Sequence, residues 1–196
     1  MDVRAVYNEK EIGFLIEWDD PFQDNEHHRN RGVKTFKNRF VKAVGEIPRE
    51  PGIFRDSIAL QFPVKPTLKR RIPFFRGDSN NPVNLWGWKS DAEAGGGTPV
   101  EDNNALGIRS PISKQSEGEQ RVRGKGFWKD GRWHVVMIRT LQAEDEDDIQ
   151  FAKDRIIHIA FNVWDGSNGE HGLIMGLSTW RLVYLDVPPS NHFRRG

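Results

Sequence analysis

The sequence predicts an all-β fold: an antiparallel β-sandwich with long loops and little helix, formed by a single domain over residues 1–196. Three observations predict it. Apolar side chains alternate with polar ones in several short runs, the period of a half-buried strand. Clusters of Asn, Asp, Gly and Pro punctuate these runs, and the 3.6-residue periodicity of amphipathic helices is scarce. At 196 residues the chain is long enough for one sizeable core, and sandwiches of this length commonly form one domain.

The first element is a hairpin over Val3 to Asp20. Ala5 and Tyr7, then Ile12, Phe14, Ile16 and Trp18, alternate around a turn at Asn8–Glu11. Pro21 to Asp56 is polar and broken by Pro48, Pro51 and Gly52, so it reads as loop with one short element at most, within the basic stretch Arg31 to Val44. Ser57 to Phe62 places Ile58, Leu60 and Phe62 on one strand face and stops at Pro63 and Pro66. Ile72 to Trp88 gathers Phe74, Phe75, Trp86 and Trp88 around turns at Gly77–Asp78 and Asn80–Pro82, a grouping that suits a core edge or a ligand slot.

Lys89 to Arg121 is long, polar and glycine-rich, and is expected to be a surface excursion. Lys125 to Leu141 is a hairpin turning at Asp130–Gly131, where positive φ is needed. The acidic run Glu144 to Asp148 is expected to be a solvated loop. Two closing strands within Ile156 to Val187 flank a polar loop, and the return arm opens with Met175. About eight to ten strands are expected in all.

Composition narrows function. A formal net charge of +1 offers no field to recruit nucleic acid or an anionic membrane. No apolar run is long enough for a membrane span, and the first residues do not read as a signal peptide, an expectation that leaves a cleaved leader open. The absence of cysteine rules out disulfides, thiolate metal sites and covalent haem attachment, leaving His, Met, Lys or carboxylate for any metal. No Walker loop, G-x-S-x-G elbow or HExxH is present.

Seven tryptophans are many for this length, and core packing accounts for most of them. His134 and His158 lie inside strand patterns; His27, His28 and His192 lie in polar segments. Asp165, Ser167, Asn168 and Glu170 suit turn formation through their side chains, a stronger reading than calcium binding, since no EF-hand spacing is present.

Five ordered blocks carry a resemblance. They are EIGFLIEWDD at Glu11–Asp20, DSIALQFPV at Asp56–Val64, PFFRGDSNNPVNLWGWKSD at Pro73–Asp91, GFWKDGRWHVVMIRTL at Gly126–Leu141, and AFNVWDGSNGE with LSTW within Ala160–Trp180. Together they resemble the haem b-binding (gamma) subunit of type II dimethyl sulfoxide reductase family molybdenum enzymes. That group includes ethylbenzene dehydrogenase, dimethyl sulfide dehydrogenase, and selenate and chlorate reductases. The resemblance implies a sandwich holding one haem b between aromatic and apolar walls, with an axial methionine and an axial lysine. It implies no substrate chemistry, only electron relay between an iron–sulfur subunit and an external cytochrome. A molybdopterin catalytic subunit would complete the complex, in the periplasm.

The family's ligand positions fall on different residues here. The lysine position before the STW block holds Met175, and the methionine position before the GD pair holds Arg76. Met175 is a plausible iron ligand, whereas a guanidinium has no lone pair to offer and would pair with a propionate or carboxylate. The cofactor-binding residues are therefore expected to be Met175, Arg76, Phe74, Phe75, Trp86 and Trp88, with Met175 on the iron. His158, His134, Lys89 and Met137 are the candidates for the second ligand, Met137 being the one that best suits core packing. Two alternatives stay open: a carbohydrate-binding module with exposed Trp86 and Trp88, and a haem-free structural subunit of the same complex.

Overall fold

The computed structural model describes residues 1–25, 54–65 and 73–186. The expectations for His27, His28, Arg31 to Val44 and His192 lie outside these residues. The described strands are β1 (Asp2–Tyr7), β2 (Glu11–Asp19), β3 (Ser57–Pro63), β4 (Val83–Lys89), β5 (Val100–Ala105), β6 (Ser113–Lys114), β7 (Arg123–Lys129), β8 (Arg132–Thr140), β9 (Arg155–Trp164), β10 (Gly176–Leu177) and β11 (Arg181–Leu185). One five-residue helix, α1 (Ser90–Ala94), and a 3₁₀ turn at Glu117–Glu119 complete the described elements. None of the described helices is long and apolar enough to cross a membrane.

All named strand pairs are antiparallel. One sheet has the order β1-β2-β8-β7; the other runs β10-β9-β3-β4-β5-β6, with β11 also on the free edge of β9. The predicted sandwich is present. The β7–β8 hairpin turns through Asp130 and Gly131 with φ of 52° and 77°, both left-handed, which is why a two-residue Asp-Gly turn fits there.

Strand alternation builds the core. Ile12, Phe14, Ile16 and Trp18 of β2 and Trp133, Val135 and Met137 of β8 face Ile58, Leu60 and Phe62 of β3, Trp86 and Trp88 of β4, and Ile157, Ile159 and Phe161 of β9. Burying each large ring contributes roughly 1.5–3 kcal/mol. Trp88 packs edge-on against Trp133 at 4.8 Å and Trp86 against Phe62 at 5.0 Å. Trp88 also lies so close to β7 that a Cβ on Gly126 would sit 2.4 Å from its ring.

Three expectations are corrected. Trp86 and Trp88 do not line a slot with Phe74 and Phe75: both are 0% exposed and face the inter-sheet core, while Phe74 is 40% exposed. The stretch from Lys89 is not all surface excursion, because β5 joins the larger sheet and buries Val100, Asp102 and Ala105. The acidic run is not wholly solvated either. Asp148 is buried and pairs at 3.4 Å with buried Arg139, which lies over the Trp86 and Phe151 rings at 5.0 and 5.3 Å. An arginine inside the sandwich draws the acid inward.

Candidate functional site

The outer face of the larger sheet is the surface on which the candidate residues meet. Cross-strand register aligns Ala160, Gln61, Leu85 and Asn103 in one row and Asn162, Ala59 and Gly87 in the next. Paired residues share a face, so these point away from the core tryptophans. They are nonetheless almost all buried. Val83, Leu85 and Ala105 form a second apolar cluster, with Trp180 packed on it. An outer sheet face of small and apolar residues is suited to being covered by a flat apolar group or by chain.

Gln61 fixes the loop that carries Phe74, Phe75 and Arg76. Its Nε2 donates to the Phe74 carbonyl at 2.6 Å, and its Oε1 accepts from the Arg76 amide at 3.0 Å. Arg76 and Gly77 then take φ of 56° and 63°. A side chain on Gly77 would meet the Asn81 carbonyl at 2.2 Å, so only glycine fits. Asp78 closes the turn, its Oδ1 accepting from the Asn80 and Asn81 amides and from Asn81 Nδ2.

The Arg76 guanidinium reaches the opposite loop. Its Nη2 donates to the Gly172 carbonyl at 3.3 Å, and Trp164 Nε1 donates to the same oxygen at 3.2 Å. Burial lowers the Arg76 pKa, the direction expected of a cation partly withdrawn from water. Three residues beyond Gly172, half-buried Met175 leads directly into β10. Arg76 and the Met175 arm are thus brought together, with Phe74 and half-buried Phe75 beside Arg76 in the same loop.

The second-ligand candidates separate cleanly. Met137 is fully buried in the core. Lys89 is paired with Glu101. His134 bonds Glu17 at 2.8 Å and stacks on Phe127, on the other sheet. His158 is on the right face, half-buried against Trp180, with its pKa lowered by burial and Nδ1 without a partner. Gly176 pairs with Val163, which puts Met175 near the Trp164 end of β9. His158 is six residues away along that strand, about 20 Å at ~3.3 Å per residue. Met175 and His158 therefore do not face each other across one iron atom.

The residues fit haem b in part. Met175 offers a thioether, Arg76 a cation for a propionate, and the Val83–Leu85–Ala105 patch an apolar wall. Asn162 Oδ1 on this face is buried with no partner, an acceptor that a bound group or water would satisfy. Among the described candidates, only Met175 offers an iron-ligating atom beside Arg76. Sequence reasoning missed Gln61, Asn162 and the Gly172 carbonyl. Only the β3 alternation, which sends Gln61 to the face opposite Leu60, could have marked any of them.

A family model described as ethylbenzene dehydrogenase matches residues 1–107 and 98–174. The respiratory nitrate reductase heme subunit ORF7 of Haloferax mediterranei is 35% identical over 130 residues, 66% of this chain and 43% of that protein. Chlorate reductase subunit gamma of Ideonella dechloratans is 29% identical over 146 residues, 73% of this chain and 56% of that protein. Dimethylsulfide dehydrogenase subunit gamma of Rhodovulum sulfidophilum is 30% identical over 147 residues, 70% of this chain and 51% of that protein. The chain spans about half the length of the curated relatives it matches.

Proposed function

Since this chain belongs to the ethylbenzene dehydrogenase family, we propose that it is the electron-transfer haem b subunit of a molybdenum oxidoreductase complex. The family resemblance read from the sequence holds, and the relatives' names as heme and gamma subunits support a relay role without substrate chemistry of its own. In this reading the partners are an iron–sulfur subunit, a molybdopterin catalytic subunit and an external cytochrome, in the periplasm. The observation that carries it is the meeting of Arg76 and the Met175 arm on a buried, apolar sheet face, joined through the Gly172 carbonyl.

Haem, when bound there, supplies one-electron redox chemistry. The chain's own residues set its conditions. Met175 presents a soft sulfur, a ligand type that raises haem potential. Arg76 holds positive charge beside the site and is oriented by its own backbone bond to Gln61. Val83, Leu85 and Ala105 exclude water from the sheet side. Phe74 and Phe75 lie at the rim in the same loop as Arg76.

The test is an absorption spectrum of haem-reconstituted protein, oxidised and reduced. A Soret and a reducible α band are expected, altered in Met175→Ala, while Arg76→Gln keeps the axial signature and releases haem more readily. Protein that stays colourless overturns the cofactor assignment. Arg76 at the ligand position favours a second reading, a haem-free structural subunit, which colourless protein that still co-purifies with an iron–sulfur partner would support. The carbohydrate-binding reading required exposed Trp86 and Trp88, and their burial removes its stacking platform.

A further inference from the structure

A second site lies where the chain leaves β9, at the start of the arm that leads to Met175. Asp20 follows β2, Asp56 precedes β3 and Asp165 follows β9, so three segments from both sheets converge there. One carboxylate oxygen from each lies within 4.8 Å of those of the other two. Asp20 and Asp56 are buried, at 2% and 0% exposure, and Asp165 is half-buried. Among the described residues none of the three forms an ion pair with Lys or Arg.

Hydrogen-bond donors surround two of these carboxylates. Asp56 accepts from the Gly166 amide at 2.9 Å through Oδ1, and from the Asp24 amide at 2.7 Å and Trp133 Nε1 at 2.9 Å through Oδ2. Asp165 accepts from Ser167 Oγ, the Asn168 amide and Asn168 Nδ2 at 2.6, 3.1 and 2.8 Å. The third member differs. Asp20 Oδ1 accepts from the Phe22 amide at 3.2 Å, but its Oδ2 is buried with no hydrogen-bond partner. An unpartnered buried oxygen beside two donor-saturated carboxylates is a vacant acceptor, the place a cation would fill.

We propose that Asp20, Asp56 and Asp165 bind a hard divalent cation of the calcium class, which ties the end of β2, the start of β3 and the exit of β9 together. All the donors are oxygens, which suits calcium and disfavours the imidazole- and thiolate-seeking metals. Ca–O distances of about 2.3–2.6 Å are compatible with carboxylate oxygens that all lie within 4.8 Å of one another. The segment is tightly seated: a Cβ on Gly166 would stand 2.6 Å from Asp24 Cβ and 3.0 Å from the Arg55 amide. The turn-forming side chains expected from the sequence do form the turn, and they also orient Asp165.

Terbium luminescence on the full chain tests this independently of haem. Trp133 donates to Asp56, so its excitation should sensitise one bound Tb³⁺, and Ca²⁺ should displace it. Asp20→Asn and Asp165→Asn are expected to weaken binding at least ~10-fold, with far-UV circular dichroism retained. The exposed-loop variant Asp147→Asn should leave affinity unchanged. Absence of Ca²⁺-displaceable emission from wild-type protein overturns the site, whatever the fold of the variants. Emission that neither aspartate substitution reduces assigns the ion elsewhere and overturns it too.

Discussion

Replacing Arg139 with methionine keeps most of the side-chain volume and removes the charge, which isolates what the buried cation does. Arg139 is 1% exposed, pairs with Asp148 at 3.4 Å, reaches Asn84 Oδ1 at 3.4 Å, and also donates to the Ile149 carbonyl. Asp102, in the same buried network through Asn84 at 2.7 Å, feels its charge as well. Removing one partner of a buried pair costs about 3–5 kcal/mol, because the remaining carboxylates lose their counter-charge. With a urea m-value of about 2 kcal/mol per molar, the midpoint at pH 8 should fall by roughly 2 M. Such a loss is a large share of the ~5–15 kcal/mol that stabilises a typical domain. At pH 5 the loss should shrink, since burial places Asp102 at about 7 and so leaves it largely neutral there, and burial raises Asp148 as well. Equal destabilisation at pH 5 and 8, or a loss below about 1 kcal/mol at pH 8, would refute an electrostatic role for Arg139.

The Asp102 carboxyl stands at about 7 in the folded protein against 3.8 as its ordinary value, so its contribution is fully present below pH ~4 and is lost as pH rises through 7. A rise of this size corresponds to roughly 4 kcal/mol at most, and Asp102→Asn should flatten the pH 4–8 stability profile measured by urea melts. Gly126→Ala places a methyl 2.4 Å from the Trp88 ring and 2.8 Å from its Nε1; overpacking of this kind costs about 1–3 kcal/mol, read as a lowered melting temperature with unchanged far-UV dichroism. Gln61→Ala leaves the Phe74 carbonyl and the Arg76 amide without their partner. A loss of about 2 kcal/mol is expected, with faster proteolysis between Phe74 and Pro82 as the local readout.

Legibility followed alternation. The hairpins at Asn8–Glu11 and Asp130–Gly131 and the strand Ser57–Phe62 were visible because one apolar face meets one polar or small face. The sequence VEDNNA of β5 shows no such pattern. Its inward Asp102 accepts from Asn84 through Oδ1, and its outward Ala105 packs on Val83 and Leu85, partners that only the folded register supplies. Trp86 and Trp88 were grouped with Phe74 and Phe75 by proximity in sequence, yet a turn separates them and puts them on opposite faces of one sheet. Asp148 sat in an acidic run that composition marks as solvated; nothing local reveals that Arg139, on β8, is buried beneath it. The unusual residues Arg76 and Met175 were visible only as departures from a family pattern, and the structure adds that Arg76 bonds the Gly172 carbonyl, three residues before Met175.

The exit of β9 joins both proposed sites into one mechanical unit. From Trp164 the chain passes Asp165 in the acidic cluster, folds back through the bond from the Glu170 amide to the Asp165 carbonyl, and presents the Gly172 carbonyl to Arg76 and Trp164 before reaching Met175. Beyond Met175 the arm rejoins β9 with Gly176 opposite Val163, but Arg181 opposite Ile159 shows that the register has slipped by one residue. That slip is a β-bulge around Thr179–Trp180, and it sets Trp180 against His158 and the Val83–Leu85–Ala105 cluster. The arm is therefore anchored at its start by carboxylate chemistry, at its middle by two donors on one carbonyl, and at its end by strand pairing. A sulfur ligand on such an arm has little freedom to leave the face it is offered to. Loss of the cation at Asp165 would loosen the first anchor alone, so its effect on Met175 should be a broadened, not abolished, haem spectrum.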